Sequence, residues 1–134
     1  MKSNASDTIL KYSLLTCAGY FVCMAIAHFF SIKLPILFIY YDVPFYAYQD
    51  KIISFAVITY VILFFAAYQN RVLAPHAILS LLTTVVGLAL VNSSEALNEV
   101  INGASTRVYW LQTAMIAGLV VWLIVFYIRA KNES

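Results

Sequence analysis

The sequence predicts an all-α integral membrane protein: a four-helix bundle with an interfacial or re-entrant aromatic segment between its first and second helices. Three observations carry this expectation. Eight Lys and Arg and six Asp and Glu are spread so that charge-free windows remain at 12–32, 52–70, 72–94 and 108–128. Each window is close to the roughly 20 residues needed to cross about 30 Å of hydrocarbon at about 1.5 Å rise per residue. Hydrophobic residues make up 63% of the chain and charged residues 10%, whereas about a quarter of a soluble domain is charged, so a water-facing surface cannot be built from it. Finally, the gap between the first two windows is itself apolar and rich in tyrosine. The 134 residues leave room for four spans, one longer connection and two short tails, hence a single four-span domain, 1–134.

The first window follows Lys2 and Lys11 and contains Ala25-Ile26-Ala27, a pattern shared with cleaved signal peptides; we read it as an uncleaved first helix. Cys17 and Cys23 lie six apart with no CxxC and read as buried thiols that serve as small packing residues. Spans in lipid associate by close approach of small side chains. Gly19, Cys23 and Ala27 offer one such ridge, Ser80, Thr83, Thr84 and Gly87 a second, and Ala114 with Gly118 a third. Packing within the chain is the ordinary use of these ridges, and homo-oligomer contacts are the alternative.

The connection at 31–51 reads SIKLPILFIYYDVPFYAYQDK. Its apolar part, 34–41, is too short to span, and Pro35 and Pro44 each disfavour helix in the preceding residue. Tyr40, Tyr41, Phe45, Tyr46 and Tyr48 suit the headgroup level, where a ring is buried while its hydroxyl stays wet. An ordinary aromatic belt explains them. The sharper reading makes Tyr40, Tyr41, Tyr46 and Tyr48, together with Asn92, the lining of a pocket for a quinone, an isoprenoid or an acyl chain.

The second helix is bulky, with Phe55, Tyr60, Phe64, Phe65 and Tyr68, and is expected to face lipid or a partner. Gln69-Asn70-Arg71 ends it, and Pro75 suits the first turn of the third helix, where a missing N–H costs nothing. That third helix is expected from about Pro75 to Asn102, stopping at Gly103. Asn92, Glu95, Glu99 and Asn102 fall at steps of three, four and three, one polar stripe on an extension beyond the outer surface. The fourth span occupies 108–128.

Lys and Arg in short loops resist translocation. With both termini inside, Lys2, Lys11, Arg71, Arg129 and Lys131 lie on the inner side against Lys33, Lys51 and Arg107 outside, which favours an N-in, C-in multi-pass protein. His28 then sits near the outer end of the first helix, on the side of Asp42, Asp50, Glu95 and Glu99. An ionisable residue in a span is a functional candidate by default, although a rim histidine is often merely hydrogen-bonded to a neighbour. The catalytic candidates are His28 as acid or base and Asp42, Asp50, Glu95 or Glu99 as the carboxylate that orients it. Glu95 and Glu99 are also natural partners for Arg107 or Lys51.

No HxxxH, ExxH or HExxH spacing occurs, and His76 belongs on the inner side, so neither a metal nor a haem site is expected and no cofactor is identified. The absence of GxSxG, Walker A and GxGxxG, with a net charge of only +2, removes conventional soluble-enzyme and nucleic-acid-binding readings. A transporter would need an internal repeat or deep charges, and neither is present.

The runs His28-Phe29-Phe30-Ser31-Ile32-Lys33 and Tyr48-Gln49-Asp50-Lys51-Ile52-Ile53-Ser54-Phe55, with the order of elements over nearly the whole chain, resemble the small four-span bacterial membrane proteins of the DoxX-like type. In these a first helix leads through a lysine and an aromatic segment to three further spans. The resemblance implies the layout and a bacterial inner membrane but carries no activity. Two function classes follow. One is a non-catalytic component that binds a partner membrane protein or a lipophilic ligand (quinone, isoprenoid or lipid) at its outer rim, with membrane lipids, a membrane-protein partner or further copies of the chain as partners. The other is a small membrane enzyme acting on a lipidic substrate through a His/carboxylate site.

Overall fold

The structure is a computed structural model that describes residues 4–34 and 47–133. Its elements are α1 (Ala5–Phe29), α2 (Ala47–Gln69), a 3-10 turn (Arg71–Leu73), α3 (Ala74–Asn92), α4 (Glu95–Val100) and α5 (Arg107–Asn132), with no strand among the described residues. Four helices are long and apolar enough to cross a membrane: α1, α2, α3 with its preceding 3-10 turn, and α5. The protein is therefore an all-α four-helix bundle of a kind compatible with a multi-pass membrane protein.

Each span packs on two neighbours in the ring α1, α2, α3, α5. Leu10, Leu14, Phe21, Phe64, Ile78, Leu81 and Leu123 fill the shared core. Outside it, large apolar side chains such as Ile62, Leu79, Leu90 and Val121 are exposed, the arrangement that suits lipid on all sides.

Both chain ends lie together. Ser6 Oγ donates to Glu133 Oε1 at 3.0 Å, and the half-exposed pair Arg71–Asp7 at 3.3 Å ties the turn between α2 and α3 to the start of α1. Helix α1 begins seven residues before the first window because Asn4 caps it, its Oδ1 accepting from the Asp7 N–H at 2.7 Å, which satisfies one of the orphan donors at a helix start. At the far end Ile32 N–H bonds the Ala27 carbonyl at 2.8 Å and Ser31 N–H that of His28 at 3.3 Å, with Ser31 at φ 60°. This pattern is a Schellman stop, here built on a serine in the left-handed region where glycine is usual.

Three expectations about packing change. The third helix does not continue to Asn102. Ser93 Oγ and Ser94 Oγ bond back to the carbonyls of Ala89 and Val91 at 3.0 and 2.7 Å, and Ser94, in extended backbone, accepts from Leu97 N–H as the cap of a new helix, α4. Side-chain hydroxyls that compete for backbone groups break the run, although the left-handed Asn102 and Gly103 do stop α4. Second, the aromatic helix α2 is not turned wholly outward: it makes its most extensive interface with α1. There Phe21 lies 5.0 Å from Tyr60 and 5.5 Å from Phe64, while Phe55 and Phe65 stay exposed. Third, the small-residue ridges lie largely on the outside. Gly19, Gly87, Cys23, Ala114 and Thr83 are exposed, and a Cβ added at Gly19, Gly87 or Gly118 would meet nothing within 4 Å. Close approach uses Cys17, Ala18, Ala25, Ala67, Ala74 and Ala77 instead, all buried. Of the two thiols only Cys17 is buried; Cys23 faces outward.

Candidate functional site

Buried polar side chains are not spread evenly. Ser6 is buried at the end that carries the termini, whereas His28, Asp50, Ser54, Asn92, Gln112 and Thr113 are buried toward the opposite end. An apolar bundle tolerates such groups only when they are paired or serve a purpose.

His28 stands in the last turn of α1, held in place by the Schellman stop that follows it, and Asp50 stands in the first turn of α2, where the helix N-terminus favours a carboxylate. His28 Nδ1 meets Asp50 Oδ1. With the carboxylate ionised, the ring nitrogen is the donor, which leaves Nε2 as the second nitrogen of a side chain that is 11% exposed. Asp50 Oδ2 is buried and has no hydrogen-bond partner among the described residues. Ser54, one turn further along α2, is buried as well and donates to the Lys51 carbonyl at 2.6 Å. Toward the outside the pair is flanked by aromatic rings: Phe29 packs edge-on to Phe55 at 6.2 Å, and the Lys51 ammonium lies 6.0 Å from the Phe29 ring centre.

Across the bundle, Asn92 Nδ2 donates to Thr113 Oγ1 at 2.9 Å, and Thr113 in turn donates to the Tyr109 carbonyl at 2.9 Å. Asn92 Oδ1 and Gln112 Oε1 are buried acceptors with no partner among the described residues. Leu97 and Ile101 of the α4 segment close over this region against Tyr109.

The structure thus brings together two of the candidate residues, His28 and Asp50. Asn92 is buried, but it is separated by the Ser93-Ser94 break from Glu95, Glu99 and Asn102, which are exposed. No ion pair joins Glu95 or Glu99 to Lys51 or Arg107 among the described residues, whose pairs are His28–Asp50 and Arg71–Asp7. Tyr48 is exposed. Tyr40, Tyr41, Tyr46 and Asp42, with the rest of the aromatic segment at 35–46, lie outside the described residues. No third metal-ligating side chain joins His28 and Asp50 among the described residues. Thr113 and Ser54 were missing from the candidates; the adjacent pair Gln112-Thr113 inside an otherwise apolar window was the signal for the first.

Chemically, a carboxylate that accepts from one imidazole nitrogen fixes the ring's tautomer and orientation. The other nitrogen is then ready to bind a polar group or to move a proton, and the free carboxylate oxygen can accept from a hydroxyl. Comparison of the chain with protein-family models, with curated proteins and with solved structures gives no match.

Proposed function

We propose that this chain is a non-catalytic, multi-pass component of a bacterial inner membrane, N-in and C-in, that binds a lipophilic ligand at its outer rim. The ligand is a quinone, an isoprenoid or a lipid whose polar head meets the His28–Asp50 pair. One observation carries the reading: Asp50 Oδ2 is buried beside the imidazole with no partner among the described residues. Leaving a buried acceptor unmade costs about 1–3 kcal/mol and more for a charged one, and a hydroxyl or amine on a bound head group removes that cost. Asn92 Oδ1 and Gln112 Oε1 add two more buried acceptors at the same end. A membrane-protein partner whose donor reached Asp50 would supply the same chemistry.

The test is extraction of gently purified protein followed by mass spectrometry. A lipophilic molecule at close to one per chain supports the proposal. Extracts that match the bulk membrane, with no co-purified protein, contradict it. A second reading, an enzyme acting on a lipidic substrate, draws support from the same pair, since Nδ1 held by a carboxylate leaves Nε2 as acid or base. It requires turnover of an added isoprenoid or acyl substrate that ceases in His28→Gln.

A further inference from the structure

In the half of the bundle that carries the termini, away from His28, a cavity of about 790 Å³ opens between α1 and α5 onto the membrane-facing surface. Ile9, Tyr12, Cys17 and Tyr20 line it from α1, and Gly118, Leu119 and Trp122 from α5. Its volume lies in the range of about 300–1,000 Å³ that holds small ligands. The lining runs along α1 from Thr8 to Tyr20, about 18 Å at the helical rise, a little more than half of the roughly 30 Å hydrocarbon core and therefore about one leaflet deep.

The walls are fixed. Trp122 Nε1 donates to Ser13 Oγ at 3.0 Å, and the Trp122 ring packs on Phe126 at 4.5 Å, so one wall is held from two sides. One turn earlier on the same helix the groove is kept open by Gly118, where an added Cβ would meet nothing within 4 Å. Thr16 turns its hydroxyl back onto the Tyr12 carbonyl at 2.9 Å, which removes a donor from the lining.

Such a groove cannot stay empty in a bilayer. Its lining is too apolar to hold water, and a void forfeits the dispersion contacts of every wall atom. A partner helix is a poor filler, since a spanning helix is about 30 Å long and 10–12 Å across, whereas this groove ends after one leaflet. From this we infer that the α1/α5 groove is a binding site for the acyl chain of a bilayer lipid in the leaflet next to the termini. Shape selects the chain here, because a lipid tail is as apolar in the bilayer as in the groove: a rigid slot one leaflet long retains a chain that bulk lipid exchanges freely.

The full chain, reconstituted in phosphatidylcholine nanodiscs doped with a phosphatidylcholine bearing a photoactivatable diazirine on one acyl chain, provides the test. After irradiation and proteolysis, adducts are expected to be enriched at Tyr12, Thr16 and Trp122 over the equally lipid-facing Ile62 of α2 and Leu79 of α3. That enrichment is lost in Gly118→Leu, which fills the groove from α5, and in Thr16→Leu, which fills it from α1. Circular dichroism and elution volume confirm that each variant is folded. Uniform labelling of all exposed faces, or enrichment that survives both substitutions, would overturn the inference. The outcome is independent of the His28 end, because neither substitution approaches it.

Discussion

A carboxylate and an imidazole buried in an apolar bundle are tolerable together and costly apart. His28→Phe leaves Asp50 without its donor, and Asp50→Ala leaves His28 without its acceptor; each is expected to destabilise the bundle by about 3 kcal/mol, the scale for breaking a buried pair. The combined His28→Phe/Asp50→Leu variant, which removes both polar groups, should lose less than the sum. A double-mutant cycle in equilibrium unfolding should give a coupling of about 1–3 kcal/mol; additive losses would show that the two side chains do not act as a unit. Ser31 is a second residue under constraint, since its φ of 60° is one that a Cβ disfavours by about 1–2 kcal/mol. Ser31→Gly is expected to raise stability by about 1 kcal/mol and Ser31→Val to lower it, measured in the same unfolding experiment.

At this scale the sequence was informative about His28, the imidazole near the outer end of the first charge-free window. It did not reveal which of four carboxylates meets that imidazole. The choice depends on where α1 stops and α2 starts, and the stop is set by backbone bonds to Ala27 and His28 rather than by a glycine that a reader would notice.

Among the elements, the break between α3 and α4 shows how little is needed to end a helix. Positions 92, 95, 99 and 102 share a stripe only if the backbone stays helical, and two consecutive serines offered their own hydroxyls to it instead. Ser94→Ala removes the cap of α4 and is expected to cost about 1 kcal/mol. Because the change is local, faster amide exchange should be confined to 95–101 while α3 keeps its protection; slower exchange there would mean that the two helices had fused.

Glycine spacing misled for a related reason. A small-residue ridge identifies a face on which a backbone can be approached closely, but not what approaches it. The neighbours in this bundle chose the alanines, leaving Gly19, Gly87 and Gly118 toward the surrounding membrane. Aromatic content misled in the opposite sense, since Tyr60 and Phe64 fill the core beside Phe21 and bind α2 to α1. Tyr60 OH further joins Thr84 Oγ1 of α3 at 2.7 Å.

For the whole molecule, the four windows determined the architecture because a bilayer leaves few alternatives to apolar helices. The window edges also located the connections to within a few residues. The pairing at the termini, Ser6 with Glu133 and Asp7 with Arg71, places both chain ends on one side of the bundle. The proposed orientation puts that side in the cytoplasm. In a Cys17→Ala/Cys23→Ala background, Ala104→Cys should react with a membrane-impermeant maleimide in intact cells, and Lys131→Cys only after permeabilisation. The reverse result would invert the topology, and the proposed site with it.

The asymmetry of the buried polar groups, concentrated at the end that holds His28, Asp50, Asn92 and Gln112, is the feature from which the functional reading grows. Retention of a co-purifying lipophilic molecule, compared by mass spectrometry between the unaltered protein and a folded Asp50→Leu variant, tests it most directly. The account predicts about one molecule per chain in the first and its loss in the second. Equal retention by both would contradict it.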